Sequence, residues 1–123
     1  MLVDDNEIDN IINHKIIEAN DFAAEILVFQ TGLDSLNYLK DHENDIAKLP
    51  EIIFLDINMP VMDGFQYLEE FDKYSQMVKD KCRIIMLSSS ISPKDIDRAA
   101  SNIHVKKYLN KPLNIRYLNA ITV

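Results

Sequence analysis

Short, unbroken apolar runs alternate along this chain with longer segments in which apolar residues return every third or fourth position. Over residues 6–20, Ile8, Ile11, Ile12, Ile16 and Ala19 fall on one side of a helix, the stripe expected of a helix packed on a sheet. The period changes at "EILVF" (25–29), which reads as a short buried strand. Gly32 then opens a second helix on Leu33, Leu36 and Leu39. The run 52–55 is the next strand, and Asp63-Gly64 makes a turn into one long helix with Phe65, Leu68, Phe71 and Val78 turned inward. "RIIML" (83–87) is a strand again. Ser92 is a helix cap with Pro93 at the first helical position, ahead of a stripe of Ile96, Ala99, Ala100 and Ile103. "VKKYL" (105–109) is the last strand, and Pro112 begins a short closing helix.

Strands that are continuous apolar runs and alternate with helices imply a parallel sheet covered on both faces. With "MLV" as a short first strand, the pattern predicts an α/β domain of five parallel strands flanked by five helices. The right-handed crossover rule leaves the flavodoxin-like doubly wound order 2-1-3-4-5 as the common arrangement for this size. Residues 1–123 fit one domain, because a chain of this length hides roughly two thirds of its unfolded surface. Repeats and low-complexity linkers are absent from the sequence.

Composition narrows the function. Asp and Glu number 20 against 13 Lys and Arg, for a net charge of −7. A surface that tracks nucleic-acid phosphates needs the opposite balance. Cys82 is the single cysteine, which excludes an internal disulfide and suits a reducing compartment. The apolar runs fall well short of the ~20 residues that cross a bilayer. The amino-terminal "MLVDDNE" has the wrong charge for a secretory signal. The expectation is a cytoplasmic protein without membrane or nucleic-acid partners.

Ligands of open parallel sheets bind beyond the carboxyl ends of the strands, so the residues standing there carry the chemistry. After the first strand come Asp4 and Asp5, at the end of the third Asp56, after the fourth Ser88, and near the end of the fifth Lys111. Neighbouring strands lie ~4.8 Å apart, which lets the ends of strands one and three gather their carboxylates. Clustered carboxylates repel unless a cation is present, and Mg²⁺ takes carboxylate, water and phosphate oxygens. A carboxylate such as Asp56 can also attack phosphorus and carry the group as an aspartyl-phosphate. Ser88 and Lys111 would then hold its oxygens.

These residues carry a resemblance. "LVDDNE", "IIFLDINMPVMDGF", "IIMLSSS" and "YLNKPL" stand in order, each at a strand end. Together they make the chain similar, along essentially its whole length, to a response-regulator receiver domain of two-component signalling, of the CheY-like superfamily. The resemblance implies that Asp56 is the phosphoacceptor, loaded from a histidine of a sensor histidine kinase or a histidine phosphotransfer protein. It implies Mg²⁺ held by Asp5, Asp56 and the backbone carbonyl of Asn58, with Asp4 acting through water. Ser88 and Lys111 would stabilise the phosphoryl group, and Ser88 and Tyr108 would shift and change affinity for a downstream protein. The Lys111-Pro112 bond is expected to be cis, and Asn58 and Ser90 to tune the lifetime of the phosphoryl group.

Taken singly, each of these residues has a plainer reading. Asp4 and Asp5 suit the positive end of the first helix, Asp56 a turn, Ser88 a cap and Lys111 a solvated position. Tyr108 reads equally as a packed aromatic. Lys106 and Lys107 read as protection of an edge strand. His14, His42 and His104 lack metal-ligand spacing. A Mg²⁺-dependent phosphohydrolase with an aspartyl-phosphate intermediate is the alternative on a similar fold. That class is expected to carry a second Asp two residues after its nucleophile, where this chain has Asn58.

Overall fold

Each apolar run becomes a strand because side chains alternate across a sheet and helices cover both faces. The computed structural model describes residues 1–89 and 92–121. Its elements are β1 (Leu2–Val3), α1 (Glu7–Ala19), β2 (Val28–Phe29), α2 (Gly32–Asp41), a 3-10 turn (Ile46–Lys48), β3 (Ile52–Asp56), α3 (Gly64–Asp72), α4 (Gln76–Lys81), β4 (Arg83–Ser88), α5 (Pro93–Ala100), β5 (Val105–Asn110) and α6 (Ile115–Ala120). The strands form one sheet in the order β2-β1-β3-β4-β5, and every pairing is parallel. That is the doubly wound arrangement expected from the alternation.

Two cores result. Ile53 and Leu55 of β3, with Ile84 and Met86 of β4, pack against Leu36 and Leu39 of α2, Phe65, Leu68 and Phe71 of α3, Val78 of α4 and Ala99 of α5. Their strand neighbours Ile52, Phe54, Ile85 and Leu87 point the other way, onto Ile17 of α1 and Leu113 and Leu118 near α6. Burying each of these Val, Leu, Ile, Met and Phe side chains stabilises the fold by about 1.5–3 kcal/mol relative to exposure.

The structure departs from the pattern in several places. β2 pairs over only Val28 and Phe29, not the whole of "EILVF", because β1 offers only Leu2 and Val3 as partners. The long helix after Gly64 is broken in two, which makes six α-helices among the described residues in place of five. The break comes where Ser75 turns out of the helix and caps α4, its side chain accepting from Val78 N. The closing helix starts at Ile115, capped by Asn114, and not at Pro112. Leu33, Ile96 and Ile103 are exposed despite their helical spacing.

The largest departure is in α1. Ile8 and Ile11, placed on the inner face by their spacing, are 67 % and 49 % exposed, and Ile12 and Ala19 are also exposed. The inner face is instead Asn10, Asn13 and Ile17. Asn10 Nδ2 donates to Asp4 O at 2.8 Å. Leu113 N donates to Asn13 Oδ1 at 3.0 Å. The helix is therefore oriented by polar attachments to the strand ends, a preference that hydrophobic periodicity cannot register.

β5 contains an irregularity that matters for Tyr108. Ile84 pairs with Val105 but Ile85 pairs with Lys107, so one residue is extra on β5. A bulge of this kind shifts the side-chain alternation by one. As a result Val105 and Tyr108, three residues apart, both pack against the same core. Lys106 and Lys107 stand exposed on this edge strand, as edge protection requires.

Candidate functional site

Three strand ends and the first helix deliver charged groups to one place. Asp4 follows β1, and its backbone N–H donates to Phe29 O at 3.0 Å while its carbonyl accepts from Asn10. Both main-chain groups are thus pinned, which aims the carboxylate. Asp4 Oδ1 accepts from Asn6 N at 2.9 Å. Asp56 closes β3 and is 4 % exposed. Asp5 is exposed at the mouth, and one carboxylate oxygen from each of Asp4, Asp5 and Asp56 lies within 4.8 Å of the others.

Lys111 joins this cluster from beyond β5. Its backbone N–H donates to Ser88 O at 2.8 Å, and the Lys111-Pro112 bond is cis, as expected. Its ammonium lies 2.6 Å from Asp4 Oδ2, 3.0 Å from Asp9 Oδ2 and 3.1 Å from Asp56 Oδ1. Burial by itself would lower the pKa of this ammonium. The contacts to Asp4, Asp9 and Asp56 outweigh it, and the net shift is upward, so Lys111 is a fixed positive charge.

Asp56 shows the opposite balance. Burial first, then the charge of Asp4, pushes its pKa up to about 6, with Lys111 opposing both. One ammonium does not compensate this many carboxylates. The donor set of hard oxygens, two buried and one open to solvent, fits a small divalent cation such as Mg²⁺.

Ser88 ends β4, fully buried and in register with Asn110. Tyr108 is half-buried opposite Met86. The side chain of Asn58 is exposed in the loop after β3. Ser90 lies outside the described residues. Two of the histidines are engaged elsewhere: His42 Nδ1 is 2.8 Å from Tyr38 O, and His104 Nε2 is 2.7 Å from Asp72 Oδ1.

Several residues that matter here carry no signal in the sequence pattern. Asp9, Asn10 and Asn13 look like solvated helix positions until the helix is placed. Gly64 looks like a turn residue, and it is more than that. A Cβ there would lie 2.8 Å from Asp56 O and 2.9 Å from Ile57 Cα. Only glycine lets the start of α3 approach the backbone of Asp56 so closely. Asp63 caps α3 in a reciprocal pair with Gln66. The loop between carries Val61, fully exposed and at φ 68°, a strained conformation for a β-branched residue.

An acidic cluster with a fixed ammonium, at the carboxyl edge of a doubly wound parallel sheet, is compatible with a divalent cation and with phosphorylation of an aspartate. The family model for the response regulator receiver domain matches residues 1–122, and the chain belongs to that family, the receiving module of two-component signalling. Among curated relatives, the probable methanogenesis regulatory protein FilR2 of Methanothrix harundinacea is 33 % identical over 118 residues, covering 96 % of this chain and 74 % of the relative. A two-component response regulator from Cytophaga hutchinsonii superposes with a TM-score of 0.89 at 34 % identity, covering 96 % of this chain and 88 % of the other. The phosphorylated cyanobacterial phytochrome response regulator RcpA superposes at 0.74 with 27 % identity, covering 96 % and 84 %. Among the described residues, no helix is long and apolar enough to cross a membrane.

Proposed function

We propose that this chain is a single receiver domain that acts as a phosphoacceptor switch, loaded on Asp56. The observation that carries the reading is the ammonium of Lys111 in contact with both Asp4 and Asp56, with the Lys111 backbone N–H tied to Ser88 O at the end of β4. In the proposed reaction a carboxylate oxygen of Asp56 attacks phosphorus, and the donor's phosphorus–nitrogen bond breaks with its electron pair leaving on the histidine. The donor is a sensor histidine kinase or a histidine phosphotransfer protein. Asp5, Asp56 and the backbone carbonyl of Asn58 would hold Mg²⁺, with Asp4 acting through water, and the ion would neutralise charge on the phosphoryl oxygens. Lys111 and Ser88 would hold those oxygens once the group is bound.

The output is a change of affinity for a downstream protein, driven by movement of Ser88 and Tyr108. A phosphoryl group supplies the required difference between states through its charge and acceptor oxygens. Asn58 and Ser90 are proposed to set its lifetime, and the setting is proposed to be the cytoplasm. The likeness to phosphorylated RcpA supports loading of this pocket. The net charge of −7 speaks against nucleic acid as the partner. The phosphohydrolase reading is not favoured, since position 58 is Asn and supplies no acid for turnover.

Intact-mass analysis after incubation with acetyl phosphate tests the proposal, with and without Mg²⁺, on the native chain and on Asp56→Asn. The expected result is one Mg²⁺-dependent phosphoryl adduct that the variant lacks. An adduct that persists on the variant, or none on the folded native chain, defeats it.

A further inference from the structure

Lys111 and the candidate cation site draw on overlapping sets of carboxylates. The ammonium touches Asp4, Asp9 and Asp56. The metal-capable group is Asp4, Asp5 and Asp56. Asp4 and Asp56 are common to both, Asp5 serves only the cation, and Asp9 serves only the ammonium.

Asp9 is held in place independently of Lys111. It sits in the first turns of α1, which is attached to the pocket at Asn10 and Asn13 through Asp4 O and Leu113 N. Its backbone N–H donates to the capping side chain of Asn6 at 3.1 Å. The Asp9 side chain is 30 % exposed, against 5 % for Asp4 and Asp56. A cleft of about 230 Å³, lined by Asp9, Ile12, Asn13, Ser89, Lys111 and Pro112, opens beside it. Water can therefore replace the ammonium at Asp9 at little cost, whereas the buried carboxylates of Asp4 and Asp56 have much less access to water.

We propose that Asp9 is a positioning residue for Lys111. Its carboxylate offers the ammonium a third anion, on α1, so that Asp4 and Asp56 can pass to a divalent cation, and it yields the ammonium when a phosphoryl group arrives on Asp56. The second half rests on the phosphoacceptor reading above. The first half, competition between ammonium and cation for two carboxylates, is argued from the overlap of the two carboxylate sets and needs no phosphoryl group.

Asp9→Asn keeps the size of the side chain and removes its charge. Lys111 then falls back on Asp4 and Asp56 and competes there with a cation, while losing its rival anion to a phosphoryl group. Two affinities should move in opposite directions, a signature that damage to the fold would not produce.

The test is an NMR titration of the native chain, Asp9→Asn, Lys111→Met and the double variant, first with Mg²⁺ and then with beryllofluoride at saturating Mg²⁺. In Asp9→Asn, Mg²⁺ should bind about fivefold more weakly and beryllofluoride about fivefold more tightly, the scale of one partly exposed charge pair. In the Lys111→Met background both differences should fall below about twofold, because the effect passes through the ammonium. Weakening of both ligands, no change in either, or differences that survive in the Lys111→Met background would overturn the proposal. If the native chain binds Mg²⁺ but not beryllofluoride, the phosphoacceptor reading fails, and the Mg²⁺ arm still decides the role of Asp9.

Discussion

Asp56 should destabilise the fold it serves, and Asp56→Asn measures by how much. The carboxyl is 4 % exposed, faces the charge of Asp4, and is pushed up to about 6 from an ordinary value of 3.8. Each tenfold loss of acid strength corresponds to about 1.4 kcal/mol, so ionised Asp56 costs the metal-free fold about 3 kcal/mol before screening, and about 1–3 kcal/mol once solvent at the mouth of the site is allowed for. The sign follows from which state holds the proton. Below the unfolded value both states are neutral and the cost is absent. As pH rises through about 6 the folded carboxyl ionises, and the cost is then fully present. The amide variant does not titrate. With chelator present, urea unfolding should show parity near pH 3, a gap that opens above about pH 4, and Asp56→Asn more stable by about 1–3 kcal/mol at pH 8. Mg²⁺ at about 100 times its dissociation constant should then stabilise the native chain by about 2.7 kcal/mol and leave the variant nearly unchanged. A variant no more stable at pH 8 would refute the reasoning. So would a gap that stays constant with pH, since that points to packing and not charge.

Three further substitutions test the placement of α1 and α3. Gly64→Ala inserts a methyl within 3 Å of Asp56 O and Ile57 Cα, both backbone atoms; it should lower stability in urea unfolding by about 1–3 kcal/mol and displace the amide resonances around Asp56. Ile8→Ala, at a position 67 % exposed, should change stability by no more than about 0.5 kcal/mol, while Ile17→Ala, at 3 % exposed, should cost about 2–5 kcal/mol. Equal losses at the two isoleucines would mean that α1 packs on its apolar stripe after all.

The strands and their order were legible because each buried strand must be apolar on both sides, and few connections satisfy right-handed crossovers. Asp4, Asp5, Asp56, Ser88 and Lys111 were legible as one group for a related reason: a parallel sheet presents every strand's carboxyl end at the same edge. Helix orientation was not. In α1 the spacing of Ile8, Ile11 and Ile12 competes with that of Asn10 and Asn13, and the second set faces inward because its hydrogen bonds close on Asp4 O and Leu113 N. Those acceptors and donors come from other segments, one of them a hundred residues away, so a local pattern cannot weigh them.

By itself, then, the sequence determined a doubly wound parallel sheet and the set of polar groups at its edge, since both follow from local periodicity and from what one strand must bury. The tertiary structure decided the rest. It showed that Gly64 admits the start of α3 to the backbone of Asp56, that a bulge turns Tyr108 to the same face as Val105, and that Asp9 shares the ammonium of Lys111. Each depends on distances between segments remote in the chain, where a shift of one residue in register or one turn of a helix axis moves a side chain from solvent into the pocket.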